Sequence, residues 1–89
     1  KEVGQLRCKA TGRKVTVLSS QPAAVLYTGN WLAGGCPKTK SDKYYQDYAG
    51  VAIECQGFSD AVNHPDFPSI YLKADELYCN KIVFKLEQF

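Results

Sequence analysis

The chain has 89 residues, with 11 lysine and arginine side chains against 9 aspartate and glutamate and a formal net charge of +2. That balance is too even to establish nucleic-acid binding, for which a concentrated basic face is expected. Hydrophobic residues at 45% and aromatics at 12% exclude a disordered tail, and no apolar run approaches the ~20 residues that cross a bilayer.

The length predicts a single domain over residues 1–89, small enough that cross-links commonly supplement the core. Four cysteines, Cys8, Cys36, Cys55 and Cys79, stand without a close Cys-x-x-Cys pair and beside a single histidine, His64. This spacing favours a disulfide framework made in an oxidising compartment over a metal site, so neither metal nor cofactor is expected. Three pairings are possible. No charged leader with an apolar centre begins the sequence, so a signal peptide, if encoded, is expected to have been removed.

In chain order, Gln5-Leu6-Arg7-Cys8 and Val15-Thr16-Val17-Leu18 flank a segment containing Thr11-Gly12, which predicts a β-hairpin. Ser19-Ser20 as an N-cap and Pro22 in the first turn predict a helix from Ala23 to about Leu32, with Gly34-Gly35 as its stop. Trp31 is expected in the core. A polar loop follows Cys36-Pro37. Val51, Ile53 and Cys55 then alternate with Ala52 and Glu54, the period of a half-buried antiparallel strand. Similar runs predict strands over residues 66–72 and 80–84, with Pro65 and Pro68 at the entrance to the first of them. One α-helix packed on a twisted antiparallel sheet with an N-terminal β-hairpin is an α+β fold.

Several of these segments together carry a resemblance. The tyrosine-rich loop Ser41-Asp42-Lys43-Tyr44-Tyr45-Gln46-Asp47-Tyr48 leads into its strand, Asp66-Phe67-Pro68 opens the next, and Asn80-Lys81-Ile82-Val83-Phe84 forms the third. The pattern resembles the small guanyl-specific and ribotoxin-type fungal ribonucleases, and more closely the ribonuclease-like secreted effectors of plant-pathogenic fungi of the powdery mildew type. The resemblance implies a microbial-ribonuclease-like fold. Family ribonucleases use a glutamate base, two histidines and an arginine to transfer a phosphodiester to the neighbouring 2′-hydroxyl. At the matching positions this chain carries Asp66, one methylene shorter; Lys43 or Asp42 in place of the first histidine; and Lys81 in place of the arginine. No residue matches the second histidine. The three positions Lys43, Asp66 and Lys81 are therefore vestigial, and the resemblance implies a pseudoenzyme.

The function implied is that of a virulence effector without catalysis. It is secreted, delivered into plant cells, and acts there by binding a host protein or RNA, with an intracellular immune receptor as a further partner and no membrane contact. A weakly active secreted ribonuclease or ribotoxin is the alternative. Tyr44, Tyr45 and Tyr48 are expected to pack on a sheet edge. Lys38, Lys40, Lys43, Tyr44 and Tyr45 are the candidates for RNA or partner contact, because charge and rings occur together there; any RNA affinity is expected to be weak. By resemblance Cys8 pairs with Cys79, leaving Cys36 for Cys55.

Overall fold

The computed structural model of the chain describes residues 1–34 and 38–89. Strands β1 (Glu2–Cys8) and β2 (Arg13–Ser19) form the expected antiparallel hairpin. The β-branched Val15-Thr16-Val17 run favours the extended, pleated backbone. Within the connecting residues 9–12, Gly12 takes a φ of 65°, a left-handed value that glycine adopts without steric cost. A register shift between Glu2 and Gly4 puts a bulge into β1.

The last strand, β5 (Ile82–Gln88), pairs with the other side of β2, giving the order β1-β2-β5. Register sorts the sheet into two faces. Leu6, Val15 and Leu86 align across the strands, as do Gly4, Val17 and Phe84. On the opposite face the aligned sets are Arg7, Lys14, Glu87 and Gln5, Thr16, Lys85. Val17, at the middle of the central strand, is fully buried, and Thr16, Ser19, Gly29, Cys55 and Ala61 are the other buried residues among those described. The core is thin. Phe84 and Leu86 remain 58% and 77% exposed, so β5 leaves much of its apolar row uncovered.

On the polar face, Glu87 gathers three partners. Lys14 Nζ lies 3.0 Å and Lys85 Nζ 3.2 Å from its carboxylate oxygens, and Thr16 Oγ1 donates to Glu87 Oε2 at 3.4 Å. Lys14 first, and Lys85 second, hold the Glu87 carboxyl below the usual glutamate range. A folded-state value depressed in this way stabilises the fold above the unfolded pKa of about 4.3, and that contribution disappears as pH falls through the folded value. Between pH 5 and pH 3 the Tm of the unmodified chain should therefore fall more steeply than that of Glu87→Gln. Thermal melts across that range giving parallel acid limbs would contradict the assignment.

The remaining strands are β3 (Ala23–Tyr27) and β4 (Ala52–Gln56), which pair in a two-stranded sheet. The chain divides into two compact units, one of Lys1–Ala24 with Cys55–Phe89 and the other of Val25–Glu54. Two single 3-10 turns, Leu32–Gly34 and Ala61–Asn63, complete the regular structure.

These elements correct the α+β expectation. No α-helix occurs among the described residues, and the molecule is built from β-strands. The segment predicted as helix opens instead as β3, because pairing with β4 outweighs the local helix preference of Ala23-Ala24. Ser19 does not cap a helix; its Oγ accepts from the Gln21 N–H at 3.0 Å and closes a turn. Residues 66–72 are not a strand. Pro65 and Pro68 lack ladder donors, and the Phe67 N–H instead donates to the His64 carbonyl at 3.0 Å. The last strand begins at Ile82 and runs to Gln88, later than predicted. Trp31, expected in the core, is 78% exposed.

Cys8, Cys55 and Cys79 carry free thiols, so the expected bond between Cys8 and Cys79 is not formed in the structure. Cys36, and with it the expected pairing to Cys55, lies outside the described residues. The side chain and then the backbone of Thr11 hydrogen-bond the Cys8 sulfur and hold its thiol below the ordinary value.

Candidate functional site

In the first unit, four segments meet around a cavity of about 500 Å3: Gln21-Pro22, Cys55-Gln56-Gly57, residues 68–72 and Tyr78. Its size lies within the range of small-molecule sites. Local chemistry fixes each wall. The Ser19 turn and the constrained φ of Pro22 set the Gln21 backbone as the chain leaves β2. Gln21 Nε2 then donates to the Tyr78 hydroxyl at 3.0 Å. Ser69 Oγ accepts from the Tyr71 N–H at 3.2 Å and bends the third wall. Cys55 is buried at the end of β4.

No charged side chain lines this cavity. Its polar groups are the Gln21 and Gln56 amides, the Ser69 hydroxyl and the Tyr71 and Tyr78 phenols, set between Pro22, Pro68, Ile70 and Leu72. Amides and hydroxyls both donate and accept. A neutral molecule with several hydroxyl groups matches that lining; an anion finds no counter-charge in it.

The second unit is held by short-range contacts. The Tyr27 hydroxyl accepts from the Trp31 N–H at 3.2 Å, and Asp47 Oδ1 accepts from the Ala33 N–H at 2.9 Å. Gly29 has a φ of 72°, and a β-carbon there would meet the Gly50 carbonyl oxygen at 2.5 Å and Leu32 Cδ1 at 2.8 Å. Only glycine fits that approach. Tyr27, Leu32 and Val51 line a smaller apolar cavity of about 250 Å3.

Three glutamates stand on strands. Glu2 accepts from Gln5 Nε2 at 3.0 Å, and Glu87 is held by its two lysines. Glu54, on β4, is exposed, and its side chain has no hydrogen bond or ion pair among the described residues. Strand alternation puts it on the face opposite Ile53 and Cys55. In the sequence it directly precedes the cavity-lining Cys55-Gln56-Gly57. The sequence reading passed over Glu54, Gln21, Gln56 and Tyr78. The available signal was a carboxylate inside the otherwise apolar run Ala52-Ile53-Glu54-Cys55.

Of the residues singled out from sequence, Asp66 and Lys81 lie in the first unit, and neither lines the 500 Å3 cavity. The Lys81 N–H donates to Ser20 Oγ at 2.9 Å, just before β5. Lys43 lies in the second unit, where its N–H donates to Thr39 Oγ1 at 3.2 Å. Lys38 pairs with Asp42 at 2.9 Å, while Lys40 is exposed, as are Tyr44 and, less fully, Tyr45. His64 lies 3.4 Å from Asp60 and stacks on Phe67 with ring centroids 4.7 Å apart, outside the cavity lining.

Comparison with known proteins identifies the class. A family model described as aldose 1-epimerase matches residues 1–85, and the chain belongs to that family. Galactose mutarotase of Rattus norvegicus is 42% identical over 76 residues, which cover 85% of this chain and 22% of the relative. Galactose mutarotase of Homo sapiens is 40% identical over the same number of residues and the same shares. Aldose 1-epimerase of Haemophilus influenzae is 43% identical over 51 residues, 57% of this chain and 14% of the relative. The chain thus spans about a fifth of the length of the first two, at 22%. No solved structure gives a significant match.

This membership overturns the ribonuclease-like resemblance, and with it the effector function, the ribotoxin alternative and the reading as a non-catalytic protein, because the family and its named members are enzymes. The resemblance rested on short dispersed signals: a hairpin, a tyrosine-rich loop and an aromatic-proline pair. None of these requires ribonuclease chemistry, and fold-level likeness does not fix function.

Proposed function

We propose that this chain takes part in epimerisation at C1 of an aldose, interconverting the α and β anomers of a sugar of the galactose type. The match of residues 1–85 to the epimerase family carries this reading. The uncharged, amide- and phenol-lined cavity supports it, since a neutral sugar presents several hydroxyls and no charge.

The chemistry needs a ring opening and a ring closure. A base removes the proton from the C1 hydroxyl, and that O–H electron pair forms the C1 carbonyl. The bond from C1 to the ring oxygen breaks, and the ring oxygen takes a proton from an acid. Rotation about C1–C2 turns the other face of the aldehyde to the C5 hydroxyl, and the same transfers in reverse close the opposite anomer. The base and acid must each lie within hydrogen-bond reach of their protons. Glu54 is the carboxylate assigned as base on its chemistry and chain position: it is the strand glutamate whose side chain has no partner among the described residues, and although it is not part of the cavity lining it directly precedes Cys55-Gln56-Gly57 in the sequence. Gln21 and Gln56 are assigned to sugar hydroxyls.

The test is polarimetry of freshly dissolved α-galactose with the whole polypeptide that carries this chain. The expected result is relaxation to the anomeric equilibrium in proportion to protein concentration and above the spontaneous rate. A rate equal to the buffer blank with galactose, glucose and xylose would overturn the reading.

A further inference from the structure

We propose that Tyr78 is a positioning residue for sugar binding, acting through Gln21; the inference rests on the epimerase reading of the cavity. A glutamine amide can turn its oxygen or its nitrogen toward a ligand, and the two present opposite hydrogen-bonding character. Here Gln21 Nε2 is committed to the Tyr78 hydroxyl at 3.0 Å. The amide oxygen has no donor among the described residues and is left to accept from a ligand hydroxyl. The Gln21 backbone is fixed independently by the Ser19 hydroxyl at 3.0 Å. The remaining side-chain freedom is therefore governed by the bond to Tyr78.

Both residues line the cavity, so the contact sits at the site and not behind it. The two residues are 57 positions apart in sequence. Tyr78 is 63% exposed, so removing its hydroxyl leaves the fold's buried residues untouched. The phenol is thus spent on orienting the amide, and what the sugar meets is the Gln21 oxygen, an acceptor that a sugar hydroxyl can satisfy because each hydroxyl can donate.

The experiment combines turnover of α-galactose with binding of methyl β-galactoside, whose blocked C1 oxygen cannot lose a proton. Tyr78→Phe should raise KM and weaken methyl galactoside binding about 2- to 10-fold, the range of one neutral hydrogen bond, with the effect carried by KM and not by kcat. In a Gln21→Ala background the same change should add nothing, because the effect travels through the amide. Equal losses in both backgrounds, or unchanged binding in Tyr78→Phe, would overturn the assignment even if the protein is an active epimerase. A polypeptide that binds methyl galactoside with this coupling but turns over no sugar would overturn the epimerase reading and leave the positioning role standing. Absence of methyl galactoside binding overturns the positioning role, whatever the turnover.

Discussion

Glu54→Gln should lower kcat for anomer interconversion by about 10²–10⁴-fold, the usual contribution of a positioned general base. The substitution keeps the size and planarity of the side chain and removes the oxygen that takes the proton. Glu54 is exposed and has no partner among the described residues, so its loss disturbs no ion pair and no packing. The thermal midpoint should therefore stay within a degree or two while the rate collapses. Asp66→Asn is the matched control: it alters another exposed carboxylate, one that stands on no strand and has no assigned role, and should leave the rate unchanged. Polarimetry, or one-dimensional NMR of the two anomeric protons, measures both. Wild-type turnover in Glu54→Gln would remove Glu54 from the mechanism.

The largest stability effect is expected at Val17. It is the one fully buried side chain among those described, with no exposed surface, and it sits on the central strand between Gly4 and Phe84. Val17→Ala deletes two methyl groups and leaves a cavity, a cost of about 2–3 kcal/mol from transfer and void together. For a chain of this size that corresponds to a fall in Tm of about 10 °C or more. Leu86→Ala removes a larger side chain from the adjacent strand, yet Leu86 is 77% exposed, so its cost should stay within about 0.5 kcal/mol. Urea denaturation of the two variants separates them. Equal midpoints would mean that the core does not centre on β2.

What the sequence disclosed was what is local. The hairpin could be read because Val15-Thr16-Val17 and Gln5-Leu6-Arg7-Cys8 lie either side of a glycine turn, so their pairing needs no distant partner. β4 could be read because Val51, Ile53 and Cys55 alternate cleanly; its observed span, Ala52–Gln56, is displaced by one residue. β3 could not. Ala23-Ala24 following Ser19-Ser20 and Pro22 satisfies the rules for a helix start, and the pairing with β4 that decides otherwise joins segments about 30 residues apart. The same misreading hid the site. Gln21 falls between the Ser19-Ser20 pair and Pro22, where helix-start signals and no site were expected, and its partner Tyr78 is too distant in sequence for any spacing rule to connect them. Glu54 was absorbed as the polar half of an alternating strand, although a carboxylate in an apolar run needs a reason of its own. Residues 66–72 were read as a strand because Ile70 and Leu72 alternate with Ser69 and Tyr71. Their side chains instead contribute a cavity wall.

The order β1-β2-β5 also sets an order in time. β2 meets β1 across only residues 9–12, and closing a hairpin of that kind takes microseconds. Its other neighbour arrives from the far end of the sequence, with Ser19 opposite Ile82. Bringing those two together restricts the whole intervening chain, and that entropy must be given up before any pair of the second ladder forms. The hairpin is thus a template that waits for its third strand, and the rate at which the sheet is completed is set by the search of β5 for β2.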